Sequence, residues 1–147
     1  MQAHEADSCE IILRSLPEWF GIEETIIKYR HDIEIMDSYI AKIDGNLAGF
    51  ITLNFHNEYS AEIQVMAVKR LYHRNGAGSE MVKFAERKAL EKQIRFLQVK
   101  TLGPSHPDFN YRNTRKFYLA QDFLPLEENF LWGKTNPCLI LIKTLNK

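Results

Sequence analysis

The sequence predicts an α/β protein with a central mixed, mostly antiparallel sheet flanked by helices. Segments with helical spacing of apolar residues alternate with segments of strand-like alternation, which favours a sheet covered by helices. The tripeptide Asp44-Gly45-Asn46, between two strand-like segments, indicates an early β-hairpin. At 147 residues the chain is most simply one domain, residues 1–147, with one core.

The first half of the chain is predicted to hold two helices followed by three strands. Residues 7–16 have a helical pattern that ends before Pro17, because the residue before a proline avoids the helical conformation. The elements that follow are a helix over residues 23–36 and strands over residues 38–43, 47–55 and 61–68.

The second half is predicted to alternate between helices and strands. The helix over residues 76–92 has an apolar stripe of Met81, Val82, Phe84, Ala85 and Ala89. Glycine and prolines between residues 102 and 110 indicate a loop. The other predicted elements are a strand over 94–101, a helix over 111–121, a strand over 123–126 interrupted by Pro125, and a last strand over 138–143.

Composition and charge argue against several classes of protein. The 19 basic and 19 acidic residues balance, whereas a nucleic-acid surface normally needs a basic excess. Cys9 and Cys138 do not make a disulfide framework, and the scattered histidines show no metal-ligand spacing, so we expect no metal. No apolar run reaches the length of a membrane span and no signal peptide is evident; we therefore expect a cytoplasmic protein that binds no membrane.

The segment from Val65 to Gly78 carries the clearest functional pattern. It indicates a strand, a basic turn, and a helix whose opening glycines, Gly76 and Gly78, leave room for a group close to the backbone. The first N–H groups of a helix lie at its positive end and have no partner within the helix, which makes this end a site for phosphate. The turn is therefore predicted to bind a pyrophosphate, the alternative being a tight turn with no ligand. Positive charge precedes the helix at Lys69, Arg70, His73 and Arg74.

This segment resembles the acetyl-CoA-binding motif of the GNAT acetyltransferase superfamily, Val-x-x-x-x-Arg/Gln-x-x-Gly-x-Gly/Ala. Val68, Gly76 and Gly78 fit in register, and His73 stands where the family usually has Arg or Gln. The resemblance implies acetyl-CoA as co-substrate, with the pantetheine arm bonding the backbone of Val68 as an added strand. The implied cofactor-binding residues in this segment are Met66, Ala67, Val68, His73, Arg74, Asn75, Gly76, Ala77, Gly78 and Ser79.

A second GNAT signature, Asn-x-x-Ala-x-x-Phe-Tyr-x-x-x-Gly-Phe, is similar to residues 111–123. The matching residues are Phe117, Tyr118 and Phe123. Tyr111 replaces the family's Asn, which often bonds the pantetheine arm, so Asn113 or Asn110 is expected to substitute.

Two further departures from the family pattern are expected to be tolerated. Asp122 replaces a glycine at a helix end, where aspartate can adopt the left-handed conformation. The family normally opens with a strand, which only residues 1–6 could supply, so that strand is expected to be missing or very short.

The resemblance implies an N-acetyltransferase that moves an acetyl group to a primary amine of a small molecule or peptide by direct attack in a ternary complex. Such a reaction needs a base for the ammonium, a donor for the oxyanion and an acid for the leaving thiolate. The implied oxyanion donor is the backbone N–H of Met66. The implied acid is Tyr118, whose alternative role is that of a packed aromatic residue.

Residues 61–68 look like the histone acetyltransferase branch of the superfamily, in which a glutamate at the position of Glu62 is the general base. Strand alternation places Glu62, Gln64 and Met66 on one face. A carboxylate among apolar neighbours could act as a base near neutral pH. One alternative is that Glu62 is an exposed glutamate at a strand end. Another is that a chain of water molecules acts as the base, as in many enzymes of the family.

In the family the acceptor enters between the first helices and the loop before the last strand. The corresponding segments here are residues 17–21 and 127–133, which are both rich in aromatic and acidic residues. Such walls suit a cationic amine, and the expected acceptor-binding residues are Trp19, Phe20, Glu62 and Trp132. The alternative is that these aromatic side chains, with Phe130, close the ends of the core.

Three other classes of protein are alternatives to the enzyme. A non-catalytic acyl-CoA-binding module, a sensor or assembly subunit, would need Tyr118 and Glu62 only for folding. A dinucleotide-binding protein is disfavoured because the third glycine of its fingerprint is missing, and a Walker loop because no Gly-Lys-Ser/Thr occurs. A homodimer through residues 138–142 is an open alternative.

Overall fold

The computed structural model describes the backbone of residues 3–145 and the side chains of residues 5–145. Its strands form one six-stranded mixed sheet flanked by helices, in the order β1-β2-β3-β4-β6-β5, which confirms the predicted fold class. The helices are α1 (Ala3–Arg14), α2 (Glu23–Ile35), α3 (Ala77–Glu91) and α4 (Phe109–Ala120). The strands are β1 (Asp37–Ile43), β2 (Asn46–Phe55), β3 (Ser60–Val68), β4 (Phe96–Leu102), β5 (Leu124–Asn129) and β6 (Cys138–Thr144).

The described residues form two compact units. Unit 1 contains residues 3–54 and Ile63–Arg87, and unit 2 contains Phe55–Glu62 and residues 88–145. That residues 1–147 make a single domain stays a prediction. None of the helices within the described range is long and apolar enough to cross a membrane.

The core of unit 1 is built on α1. Its buried face packs with Ile33 of α2, Phe50 of β2, and Val65 and Ala67 of β3. Between β1 and β2, Asp44 and Gly45 have φ angles of 51° and 81°. Two consecutive left-handed residues are what a two-residue type I′ turn requires, so the predicted hairpin is confirmed. The α1 side chains in this core are Ala6, Cys9, Ile12, Leu13 and Leu16.

The α1 helix begins within the segment that alone could have supplied the family's first strand. Residues 3–6 belong to α1, four residues ahead of the predicted helix start, so this segment supplies no strand; Met1 and Gln2 lie outside the described residues. The helix ends at Arg14 rather than at Leu16, because the N–H of Leu16 bonds to the carbonyl of Leu13 in a tighter turn.

Unit 2 is organised around β6, which pairs antiparallel with β4 on one side and β5 on the other. Pro125 is accommodated in β5 by a register shift before Glu127, and β5 then continues to Asn129, beyond its predicted end. The α4 helix begins two residues earlier than predicted because Asp108 caps it. The Asp108 carboxylate accepts hydrogen bonds from the N–H groups of Asn110, at 2.8 Å, and Tyr111, at 3.3 Å.

Candidate functional site

The turn between β3 and α3 lies in unit 1 and contains two residues in the left-handed conformation. The φ angles are 63° at Arg74 and 81° at Gly76. A Cβ added at Gly76 would meet no atom within 4 Å, so glycine is favoured there by the backbone conformation, and the space beside it is open. The first bond of α3 runs from the N–H of Glu80 to the carbonyl of Gly76, at 3.0 Å. The N–H groups of Ala77 and Gly78 therefore precede the helical ladder, at the positive end that suits an anion.

Arg70 is engaged away from the turn. Its Nη2 atom donates to Oε1 of Glu18 at 2.7 Å. This hydrogen bond is the main reason why the pKa of Glu18 is lowered to about 2. The sequence grouped Arg70 with the charges available to a phosphate, and the structure assigns it to an ion pair instead.

His73 is engaged as well. Its Nε2 atom donates to the carbonyl of Val68 at 2.8 Å, and its ring lies edge-on to that of Trp19, with 5.8 Å between centroids. Neither Lys69 nor Arg74 forms a side-chain hydrogen bond or ion pair with any residue that the structure describes. Of the four predicted cations, these two are the ones left for a phosphate group.

Burial along the last part of β3 alternates as a strand should. Val65 and Ala67 are buried in the unit 1 core, while Met66 and Val68 are half-buried. Gly49 of β2 allows a close approach at this point, since a Cβ there would lie 2.5 Å from the carbonyl oxygen of Ala67. The predicted roles of Met66 and Val68 use backbone groups, so the packing of their side chains does not decide them.

Glu62 belongs to unit 2 and is buried, with only 6% of its side chain exposed. The alternative of an exposed strand-end glutamate is therefore wrong, and so is the expectation of apolar neighbours. Lys100 Nζ lies 3.2 Å from both carboxylate oxygens. Gln98 donates its amide to Oε1 at 3.2 Å, and His56 Nε2 lies 2.6 Å from the same oxygen. A buried carboxylate needs such partners to offset the cost of removing it from water.

Tyr118 also lies in unit 2, on α4, and is only 6% exposed. Its ring packs edge-on against Phe117 and Phe123, with centroid separations of 5.1 and 5.5 Å. The aromatic packing that the sequence offered as an alternative is thus present, and the acid role of the hydroxyl stays a prediction. Beyond α4, Asp122 has a φ of 70°, which confirms that aspartate adopts the left-handed conformation of the family's glycine.

The remaining predicted site residues differ in exposure. Trp19 and Phe20 are half-buried against the unit 1 core, as the alternative to acceptor binding expected. In unit 2, Trp132 is 40% exposed and Phe130 is 72% exposed, so these two do not close a core within the described residues. Asn113 is exposed on α4.

Sequence reasoning missed three members of the Glu62 cluster: His56, Gln98 and Lys100. His56 and Glu62 flank the turn between β2 and β3, so recognising that hairpin would have suggested their proximity. Gln98 and Lys100 alternate on β4, but no local pattern says which strand β4 adjoins. Among the residues that the structure describes, no group of three or more His, Cys, Asp or Glu side chains could hold a metal ion.

Comparison with known proteins identifies the family. The family model for the acetyltransferase (GNAT) family matches residues 7–123, and the chain belongs to this family. No protein of curated function matches the sequence.

Solved structures of GNAT proteins share the fold. A GNAT-family protein from Desulfovibrio desulfuricans superposes with a TM-score of 0.85 at 15% identity, over 97% of this chain and 94% of that one. An aminoglycoside 6'-N-acetyltransferase from Enterococcus faecium gives 0.75 at 16% identity, over 99% and 93%. A GNAT-family acetyltransferase from Elizabethkingia anophelis, solved with acetyl-CoA bound, gives 0.67 at 20% identity, over 90% and 89%.

Proposed function

We propose that this protein transfers an acetyl group from acetyl-CoA to a primary amine of a small molecule or peptide, by direct attack in a ternary complex. The observation that carries the proposal is the left-handed turn at Arg74 and Gly76 that opens α3. It offers backbone N–H groups to an anion, with Lys69 and Arg74 available to add positive charge. Membership of the GNAT family and the acetyl-CoA in the Elizabethkingia anophelis structure support this choice of donor.

Residues on both sides of this turn would hold the co-substrate. The pyrophosphate would accept hydrogen bonds from N–H groups in residues 74–79 of the turn and first helical positions. The pantetheine arm would bond the backbone of residues 66–68, assisted by Asn113. His73 occupies one lone pair of the Val68 carbonyl, and a carbonyl oxygen has two, so a pantetheine amide can share that oxygen.

The chemical step needs three groups of this chain. A proton leaves the acceptor ammonium for the site around Glu62, and the neutral amine attacks the thioester carbon. The backbone N–H of Met66 donates to the oxyanion that forms. The carbon–sulfur bond then breaks, and the Tyr118 hydroxyl gives its proton to the departing thiolate. The nitrogen loses its second proton as the amide forms, and that proton restores the Tyr118 hydroxyl.

The acceptor is proposed to be a cationic amine held by aromatic and acidic side chains. Trp19, Phe20 and Trp132 are the proposed contacts, because ring faces attract ammonium groups. The fourth predicted residue, Glu62, is buried and is proposed to contribute to proton removal rather than to contact the acceptor. The Enterococcus faecium neighbour is named for a small-molecule acceptor, an aminoglycoside. Its 16% identity to this chain supports the fold alone, so the acceptor here is proposed only as a class.

A panel of small amines and peptide amines, assayed for CoA thiol release with acetyl-CoA, tests the proposal. Tyr118→Phe keeps the aromatic packing and removes the hydroxyl, so kcat should fall about 100-fold, the lower range for general acid catalysis, with acetyl-CoA affinity unchanged. Wild-type protein that binds acetyl-CoA but acetylates no amine would instead indicate the alternative, a non-catalytic acyl-CoA-binding module.

A further inference from the structure

A histidine and a buried carboxylate are in hydrogen-bond contact beside the hairpin between β2 and β3. His56 Nε2 and Glu62 Oε1 are 2.6 Å apart, and Lys100 Nζ is 3.2 Å from both oxygens of the same carboxylate. A carboxylate paired with lysine is an acceptor, so we assign the Nε2 hydrogen to His56. Nδ1 of His56 then carries the lone pair. It has no hydrogen-bond partner among residues 5–145.

Solvent access separates the two groups. The side chain of Glu62 is 6% exposed, and its oxygens already accept hydrogen bonds from Lys100, Gln98 and His56. The side chain of His56 is 37% exposed. A molecule arriving from solvent can therefore reach the imidazole more readily than the carboxylate behind it.

The hairpin that carries His56 is held by its own hydrogen bonds. The N–H of His56 donates to the carbonyl of Ser60 at 3.0 Å. The side-chain oxygen of Asn57 accepts from the N–H groups of Tyr59 and Ser60, at 2.8 and 3.0 Å. The Tyr59 carbonyl in turn accepts from the N–H of Arg95 at 2.7 Å. Proton transfer depends on such preset geometry, since a misplaced group loses rate steeply.

We propose that His56 is the proton acceptor for the acceptor ammonium and that Glu62 is its positioning residue, an inference that rests on the acetyl transfer proposed above. The Nδ1 lone pair takes one proton from R–NH3+, and the amine that remains has the free lone pair that attacks the thioester carbon. Glu62 holds the ring in the required tautomer and stabilises the imidazolium across the 2.6 Å hydrogen bond. The imidazolium returns its proton to solvent after transfer.

Charged and polar groups of β4 contact the carboxylate of β3 that holds the His56 ring. Glu62 of β3 and Lys100 of β4 neutralise each other, and Gln98 of β4 is neutral. Further away, Cys138 of β6 and Glu127 of β5 interact electrostatically within the same cluster. Lys92 lies over the ring of Phe55, the residue before His56. The proposed step requires the free Nδ1 lone pair, because a ring that already carries a proton on Nδ1 cannot accept the one from the ammonium.

The test compares His56→Gln with wild type in kcat/KM across pH 5–9, a range in which histidine generally titrates. Glutamine can still donate an amide hydrogen to Glu62 but cannot accept the proton. Its kcat/KM at neutral pH should fall about 100-fold, and the loss of rate towards acidic pH should disappear. Acetyl-CoA binding by calorimetry should not change. Glu58→Gln, an exposed change in the same hairpin, is the matched control and should leave the profile as in wild type.

Two further variants separate the roles. Glu62→Gln should lower the rate while the acidic loss of rate persists, because His56 remains the group that takes the proton. His56→Ala should regain activity when imidazole is added to the buffer, which a purely structural histidine would not do. The proposal would be overturned if His56→Gln kept the pH profile of wild type and Glu62→Gln no longer lost activity towards acidic pH. Glu62 would then be the base, and the acetyltransferase function would still stand. Wild-type protein that transfers acetyl to no amine would overturn both.

Discussion

Replacing Gly49 by alanine should weaken the junction of β2 and β3 just before the phosphate-binding turn. The added Cβ would lie 2.5 Å from the Ala67 carbonyl oxygen and 3.1 Å from the Val68 Cα, and both are backbone atoms that cannot rotate away. Restoring an ordinary contact of 3.4 Å requires a movement of about 0.9 Å. The same movement would lengthen the Lys69 N–H bond to the Ala48 carbonyl from 2.7 Å to about 3.6 Å, beyond hydrogen-bond range.

The expected cost combines three effects. The lost hydrogen bond costs about 1 kcal/mol and the crowding about 2 kcal/mol. The stiffer unfolded chain of an alanine variant returns roughly 0.5–1 kcal/mol. The free energy of unfolding of Gly49→Ala should therefore fall by about 2 kcal/mol, which corresponds to a drop in Tm of about 4–8 °C for a chain of this size.

Urea unfolding, followed by tryptophan fluorescence, measures this loss. Gly45→Ala is the control, because its Cβ would meet no atom within 4 Å and only the left-handed φ of 81° is strained, at a cost of about 1 kcal/mol. An unfolding free energy for Gly49→Ala within about 0.5 kcal/mol of wild type, the range of neutral surface changes, would refute the steric reasoning.

Three other predictions concern single groups. Asp108→Ala removes the α4 cap and should lower the free energy of unfolding by about 1 kcal/mol in urea titrations. In an NMR titration at low salt, Glu18 should have a pKa of about 2, and Arg70→Ala should return that pKa towards 4.5. Because the pKa of Glu18 is lower in the folded state than in the unfolded state, the pair stabilises the fold at neutral pH. This stabilisation is lost as the pH falls below 4.5. Burial raises the pKa of Cys9 to about 12 and also raises that of Cys138, so neither thiol should react with iodoacetamide until the protein unfolds, and rapid labelling of the native protein would contradict their burial.

Local signals explain what could be predicted from the sequence. The turn at Asp44 and Gly45 was predictable because few residues adopt the left-handed conformation, and the same reason applies to Gly76. The α4 helix begins earlier than predicted because Asp108 caps it. The cap depends on hydrogen bonds from two N–H groups to the Asp108 side chain, and the composition of the loop does not reveal such bonds. Most of the helix and strand bounds differ from their predicted positions by only a few residues.

Side-chain partners distant in sequence were not predictable. Arg70 pairs with Glu18 across 52 residues, and Lys100 pairs with Glu62 across 38 residues. Both pairs depend on how the elements pack, whereas a sequence pattern reports only the face of an element on which a residue lies. The charge of Arg70 was therefore assigned to the wrong role, and the surroundings of Glu62 were expected to be apolar when they are polar.

The central claim is that the turn at Gly76 binds the pyrophosphate of acetyl-CoA, and isothermal titration calorimetry tests it most directly. Wild-type protein should bind acetyl-CoA, and Gly76→Asp should lose binding, because it adds strain at a φ of 81° and a negative charge beside the phosphates. Gly133→Asp, at a φ of 93° with open space around it, imposes the same kind of strain elsewhere and should keep the wild-type affinity. Folded wild-type protein without affinity for acetyl-CoA, or equal affinity in Gly76→Asp, would contradict the claim.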